Sequence, residues 1–524
     1  RKQMQSRRGG ADDARLMAVV AVRSSQQGRV YRLPSKADLA AAAAAEAEIE
    51  SVRKAVDSVS GLSIVPNELI PFMSGVFNVP LYGHNAWNTL FSPRQTLALV
   101  GIFRKIQEAI QRLSLDNPAE FATAVGVMLG LAFDRQVDFT SALCSWWAGG
   151  EKIQHTFGRQ ALPMIWDFAE CNPFSDSTGC WQGAFEWGAK VCEHGAESLE
   201  RPGQAVIASA TTHPLPDDSA QCLVTDPPYY NAVPYADLSD FFFVWLRRLL
   251  GARIPDFDAP ESPKTEECCE MAGWDSKRYP EKDGKWFERK MAGAMREARR
   301  VLAPDGIATV VFAHKATSGW EALLQAMVDA GWTLTGSWPI DTEMATRLRA
   351  MNSAVLASSV HLVCRPRENP DGSVRADEVG DWREVLAELP RRIHEWMPRL
   401  AEEGVVGADA IFACLGPALE IYSRYSRVEK ASGEVITLRE YLEQVWAAVS
   451  TEALSMIFRE ADAAGLEPDA RLTAMWLWTL GGGGNGGDSA ADDEAASDEG
   501  DDEESSGGGK AGAGGFTLEY DAAR

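Results

Sequence analysis

VTDPPYYNAVPYADLSDFFFVWLRR, residues 224–248, breaks the pattern around it. An apolar run, QCLVTD at 221–226, reads as a short strand that ends on an acid. Pro227 and Pro228 follow. Each lacks an N–H and fixes φ, so neither a helix nor a central strand runs through them, and their turn is stiff. Their carbonyls stay open to accept. Tyr229 then stands as a flat ring beside the turn. The aromatics from Phe241 to Trp245 read as the buried face of the next helix, not as more of the same site.

Residues 1–220 read as mostly helical, with a first region ending near residue 200. Ser35 caps an alanine-rich helix and Asp38, three residues on, makes a partial capping box. Ser92-Pro93 opens a second helix, a cap followed by Pro at the first helical position. Its apolar face is Leu97, Leu99, Val100, Phe103, Ile106 and Ile110. A third helix follows Asn117-Pro118. CSWWAGG (144–150) and FGRQALPMIWDFAECNPFSDSTG (157–179) are rich in aromatics and turn formers, and packing is their expected role.

From about Gln204 the pattern changes. QAVIASA (204–210) is a short apolar run, TTHPLPDDSA a loop, and then comes the run that ends in Asp226. After a polar insertion near 252–284, an amphipathic helix spans Trp286–Leu302. APDG ends it. IATVVFA (307–313) is a β-branched strand. A helix with Trp320, Leu323, Leu324, Met327 and Val328 on one face closes at Gly331. WTLTGSWPI and SVHLVCRPR are two last strands without a helix between them, so the final one should run antiparallel. The whole is an α/β domain, 201–370, with an open, doubly wound and mainly parallel sheet. A C-terminal helical region at 371–479 follows. Residues 480–515 are an acidic Gly/Ser-rich linker expected to be disordered, and 516–524 starts a further segment. GGGGNGG (481–487) lacks the strand and helix of a phosphate loop.

The chain has 524 residues, 45 % hydrophobic, enough for a sizeable core and about two to four domains. A net charge of −24 argues against a generally basic binder, although ten acids and no base lie within Asp488–Glu504 alone. Nine scattered cysteines without a Cys-x-x-Cys pair read as reduced thiols in a cytoplasmic protein. No apolar stretch spans a bilayer and no signal peptide is visible. The seven histidines show no metal spacing, and His314 reads as structural. The chain starts at Arg1 without Met and stops at FTLEYDAAR, and reads as a fragment of a longer protein.

In an open α/β sheet, ligands bind beyond the carboxyl ends of the strands, which is where Asp226 falls. A carboxylate, an accepting carbonyl and an aromatic plate suit a planar base with an exocyclic amine. The acceptors take the amine's hydrogens, and the ring stacks on the base. Such a base must leave a duplex to be reached.

Asp226-Pro227-Pro228-Tyr229 resembles the catalytic tetrad of S-adenosylmethionine-dependent, amino-methylating DNA methyltransferases. The longer strings TDPPYYNAVPYADLSDFFFVWLRR, PFMSGVFNVPLYG (71–83), RQALPMIWDFAECNPFS (159–175) and SSVHLVCRPR (358–367) resemble a narrower group, the large adenine-specific DNA methylases with a zinc ribbon, often found beside phage-defence genes. The likeness spans roughly residues 1–480. It implies a class I methyltransferase (Rossmann-like) core, whose second half has the strand–helix order read above. It further implies DNA as partner, S-adenosyl-L-methionine as methyl donor, and other phage-defence or restriction subunits nearby. The family's Asp and first Pro carbonyl hold the target amine and its Tyr stacks on the base, roles carried here to Asp226, Pro227 and Tyr229, with Pro228 completing the tetrad. The expected reaction is direct methyl transfer to adenine N6 in DNA, with base flipping.

The departures matter too. The family's glycine-rich cofactor loop and zinc-ribbon cysteines have no counterpart in the sequence, NPFSDSTG (172–179) being a faint echo. Both are expected upstream of Arg1, and this chain alone would then be inactive. Part of the cofactor half is expected at 160–200. Glu170, ending MIWDFAE, is the candidate for the cofactor ribose if a strand precedes it, and Ser209 for the cofactor adenine. Arg347 and Arg349, between the last strands, are candidates for DNA phosphates, against the plainer reading as solvated charges. Two alternatives stand beside adenine. One is methylation of another amine: cytosine N4, guanine in RNA, or glutamine in protein. Those families more often carry Ser or Asn where Asp226 stands. The other is a non-catalytic DNA-binding or assembly subunit that keeps the fold.

Overall fold

A computed structural model describes residues 2–23, 26–198, 203–231, 233–312, 317–341, 358–369, 378–403 and 413–457, with residues 375, 405, 410, 467 and 473 besides. Arg347, Arg349, His314 and the linker and segment beyond residue 480 lie outside the described residues. The chain divides into two compact units. One comprises residues 1–205 and 233–267, the other 206–232 and 268–524. Among the described residues no helix is long and apolar enough to cross a membrane.

The first unit is built on α1 (Lys2–Arg7), the hairpin β1 (Val19–Arg23) and β2 (Gln26–Arg32), α2 (Lys36–Lys54), α3 (Pro93–Asp116), α4 (Ala119–Asp138), the hairpin β3 (Ser145–Trp147) and β4 (Lys152–Gln154), α5 (Trp181–Ser198) and α6 (Tyr235–Leu250). The caps read from sequence are present. Ser35 and Asp38 form a full capping box on α2, and Ser92 forms one with Gln95 on α3. Leu99, Val100, Phe103, Ile106 and Ile110 are buried along α3, whereas Leu97 is half-buried. The expectation of a mostly helical 1–220 needs correction. Residues 55–92 are irregular apart from two short 3-10 turns, and two hairpins flank the helices. The aromatic run on α6 is buried as expected. Phe241 lies on Phe91, and Trp245 lies edge-on to Phe91 and Phe133.

The second unit holds β5 (Ala220–Thr225), α7 (Gly284–Val301), β6 (Leu302–Phe312), α8 (Thr317–Asp329), β7 (Trp332–Asp341), β8 (Ser358–Pro366), β9 (Val379–Asp381), α9 (Trp382–Glu402), α10 (Leu415–Ser423), β10 (Arg427–Glu429) and α11 (Leu438–Ile457). Its main sheet is mixed, in the order β5-β6-β8-β7. β5 runs parallel to β6, while β8 is antiparallel to both β6 and β7, so the final strand is reversed as its lack of a crossover helix implied. Period-2 alternation puts Ala308, Val310 and Phe312 on one face with Val360, Leu362 and Cys364. That face joins Phe287, Met291 and Met295 of α7 and Leu323, Leu324 and Met327 of α8 in one core, which continues into α9, α10 and α11. The opposite face carries Val224, Ile307 and Trp338, which are 70 %, 38 % and 46 % exposed.

The apolar run QAVIASA is irregular, and Val206 and Ile207 are 70 % and 86 % exposed. One local reading is overturned. APDG does not separate helix from strand, because α7 ends at Val301 and β6 starts at Leu302. The pairing instead jumps from Ala220↔Leu302 to Cys222↔Ile307, so Ala303–Gly306 is absorbed as a bulge. The far edge of the sheet is covered. The Leu334 N–H donates to Ser423 Oγ at 3.0 Å, and Ser337 Oγ donates to the Ala413 carbonyl at 2.7 Å while accepting from the Gly416 N–H at 2.8 Å. At the other edge, no strand pairs with the outer side of β5 among the described residues.

Candidate active site

Asp226 follows directly on Thr225, the last residue of β5, which pairs with Val310 near the end of β6. Asp226 is exposed, Pro227 is buried, and Pro228 and Tyr229 are half-buried. The two prolines end the strand, and the turn closes tightly: the Pro228 carbonyl accepts from the Tyr230 N–H at 3.1 Å. The expectation that both proline carbonyls stay open therefore holds for one at most. Pro227 keeps its carbonyl clear of backbone hydrogen bonds from the described residues, and it is the one the amine-binding role requires.

The Tyr229 ring is fixed from behind. It meets Phe312, the last residue of β6, edge-to-face with centroids 5.5 Å apart and planes at 78°. Phe312 is fully buried and rests in turn on Trp320 of α8 at 5.0 Å. A ring held this way loses little orientational freedom when something stacks on it.

The segment after the motif is clasped by residues 270–287. Tyr230 has φ +59°, and its carbonyl accepts from the Glu270 N–H at 3.0 Å. Its ring lies on Phe287 with centroids 4.6 Å apart. The first residue of α7 is Gly284, where a Cβ would collide with Tyr230 Oη. Trp274 Nε1–H donates to the Asn231 carbonyl at 3.3 Å. Burial pushes the Tyr230 phenol up, and the charges of Glu288, Glu270 and Asp283 add to the effect.

No protein-family model matches the chain, and no curated protein does. Two solved structures match, both of a provisionally assigned DNA modification methylase from Thermus thermophilus. One is a selenomethionine derivative and the other is complexed with S-adenosyl-L-methionine. Each is 13 % identical, with a TM-score of 0.17, and covers 45 % of this chain and 90 % of its own. A likeness that distant carries no weight for fold or chemistry.

Ser209 lies in the same unit as the motif, in an exposed turn. Its Oγ is 2.9 Å from Thr211 Oγ1 and accepts from the Thr211 N–H at 3.2 Å. The loop that follows is tied to α7 by Arg300, which donates to the His213 and Leu215 carbonyls and pairs with Asp217 and Glu297. Glu170 lies in the other unit, and the strand expected before it is absent. Its carboxylate is held bidentately by Arg94, at 2.9 and 3.0 Å. That pairing occupies one lone pair on each oxygen of Glu170. Sequence reasoning missed Phe312, Tyr230, Glu270 and Trp274. Phe312 could have been found by aligning the carboxyl ends of the two parallel strands. The other contacts depend on how the insertion folds back.

Proposed function

We propose that this protein methylates the exocyclic N6 amine of adenine in DNA, using S-adenosyl-L-methionine, with the base flipped onto Asp226-Pro227-Pro228-Tyr229. One observation carries the reading: at the end of a parallel strand, a rigid turn sets an exposed acid and a Pro227 carbonyl, clear of backbone hydrogen bonds from the described residues, beside a braced, half-buried tyrosine ring. The sheet supports it. Parallel strands with an antiparallel last one are what the class I methyltransferase resemblance implies.

S-adenosylmethionine, when bound, supplies an electrophilic methyl on a sulfonium. The described residues do not form a site that fits it. Glu170 is engaged by Arg94, Ser209 is turned into its own loop, and no glycine-rich loop leads from a strand into a helix among the described residues. The chemistry argued from this chain is therefore on the amine side. Asp226 and the Pro227 carbonyl accept the two amine hydrogens and so orient the nitrogen lone pair. Tyr229 holds the ring plane by stacking. Positioning of this kind converts binding into rate without a covalent intermediate. Positive charge on the amine nitrogen would be favoured by the Asp226 carboxylate beside it.

Asp226 tests the reading. In cells expressing the gene, mass spectrometry of digested DNA should find N6-methyladenine, and Asp226→Ala should lower it by at least about 10²–10³-fold, as for loss of one preorganised polar group. N4-methylcytosine instead, or undiminished methyladenine in the variant, would overturn it.

A further inference from the structure

We infer that Tyr230 is the positioning residue of this site: its left-handed backbone, clamped by Glu270, Phe287 and Gly284, sets the plane of the Tyr229 ring. The inference rests on the proposed function for its purpose but not for its geometry. A non-glycine residue at positive φ is uncommon, and Asn, Asp and Gly are those that take it readily. Asn231 stands one residue further on, yet the tyrosine occupies the left-handed position at φ +59°. Such outliers persist only where their surroundings over-determine them, and they gather at functional sites.

The surroundings here do so. The Tyr230 N–H closes the turn on the Pro228 carbonyl, and its own carbonyl is taken by the Glu270 N–H. Its ring rests on the fully buried Phe287, and its hydroxyl fills the notch left by the missing side chain of Gly284. Tyr229 sits between these fixed points, edge-on to Phe312. With Tyr230 released, Tyr229 keeps the Phe312 contact and loses the backbone constraint that the clamped Tyr230 places on its tilt.

The side chain and the backbone can be separated. Tyr230→Gly keeps positive φ without strain but loses the ring clamp. Tyr230→Phe keeps the clamp. The measurement is 19F NMR of the full chain labelled with 3-fluorotyrosine, the Tyr229 resonance being assigned by its loss in Tyr229→Phe. It should sit in the same place in the wild type and in Tyr230→Phe. In a folded Tyr230→Gly it should move toward the position of free fluorotyrosine, and in Gly284→Ala it should move part of the way. The Kd for an adenine-containing single strand should then rise about 10-fold in Tyr230→Gly and stay unchanged in Tyr230→Phe. An unmoved Tyr229 resonance in Tyr230→Gly overturns the positioning role whatever the activity. A moved resonance in a protein that forms no methyladenine leaves the positioning role standing and sinks the proposed reaction.

Discussion

The Tyr229 ring is braced by Phe312, and under the proposed function stacking of one base on it is worth about 1–3 kcal/mol. Tyr229→Ala should therefore weaken binding of an adenine-containing single strand about 5–150-fold, with Tyr229→Phe near wild type, as read by fluorescence anisotropy. Equal affinity in the alanine variant would remove stacking from the mechanism. The strand end and stiff turn at the proposed tetrad were legible, because an apolar run meets an acid and two prolines there. Its brace was not. Phe312 lies in an ordinary β-branched strand, and only the parallel register of β5 and β6 brings its ring to Tyr229. Tyr230 was equally silent, since a left-handed backbone at a tyrosine has no sequence signature.

At the level of elements, the helix starts were the easiest to read. A cap such as Ser92 acts within three residues, so local sequence contains the whole interaction. APDG misled because Pro-Asp-Gly favours a turn, whereas the pairing of β5 with β6 tolerates it as a bulge. Long-range packing of this kind also governs α10. A Cβ at Gly416 would collide with the backbone of Gly336 and Ser337 in β7, so the first turn of α10 touches the strand directly. Gly416→Ala should destabilise the sheet edge by roughly 1–3 kcal/mol through overpacking. Differential scanning calorimetry would show this as a lowered Tm, and an unchanged Tm would mean that α10 can slide outward at no cost.

For the whole molecule, acid lability should come in part from the first unit. His84 is 2 % exposed, and burial holds its imidazole below its usual range. Its Nδ1 donates to the Thr89 carbonyl at 2.7 Å. A histidine kept neutral when folded gains its proton only on unfolding. Its contribution is therefore complete above about pH 6.5, the unfolded value, and is lost as pH falls from there toward the folded one. His84→Gln should flatten the fall of Tm between about pH 7 and 5, and an unchanged slope would place the acid lability elsewhere. The alternation of strands and helices after Gln204 was legible because each element is long enough to show its period. The division into two units was not, because nothing in composition marks Ala232 or Glu267 as a crossing.

That interleaving has a consequence for how the chain is made. The first unit needs α6, whose Phe241 and Trp245 complete the aromatic core begun by Phe91 and Phe133. The ribosome must therefore read through residues 206–232, which belong to the other unit, before the first can close. At about 5–20 residues per second the wait from residue 205 to 267 is roughly 3–12 s. Through it the apolar surfaces of α3 and α4 are left for chaperones to guard, and a nascent chain arrested in that window is the form most exposed to proteolysis.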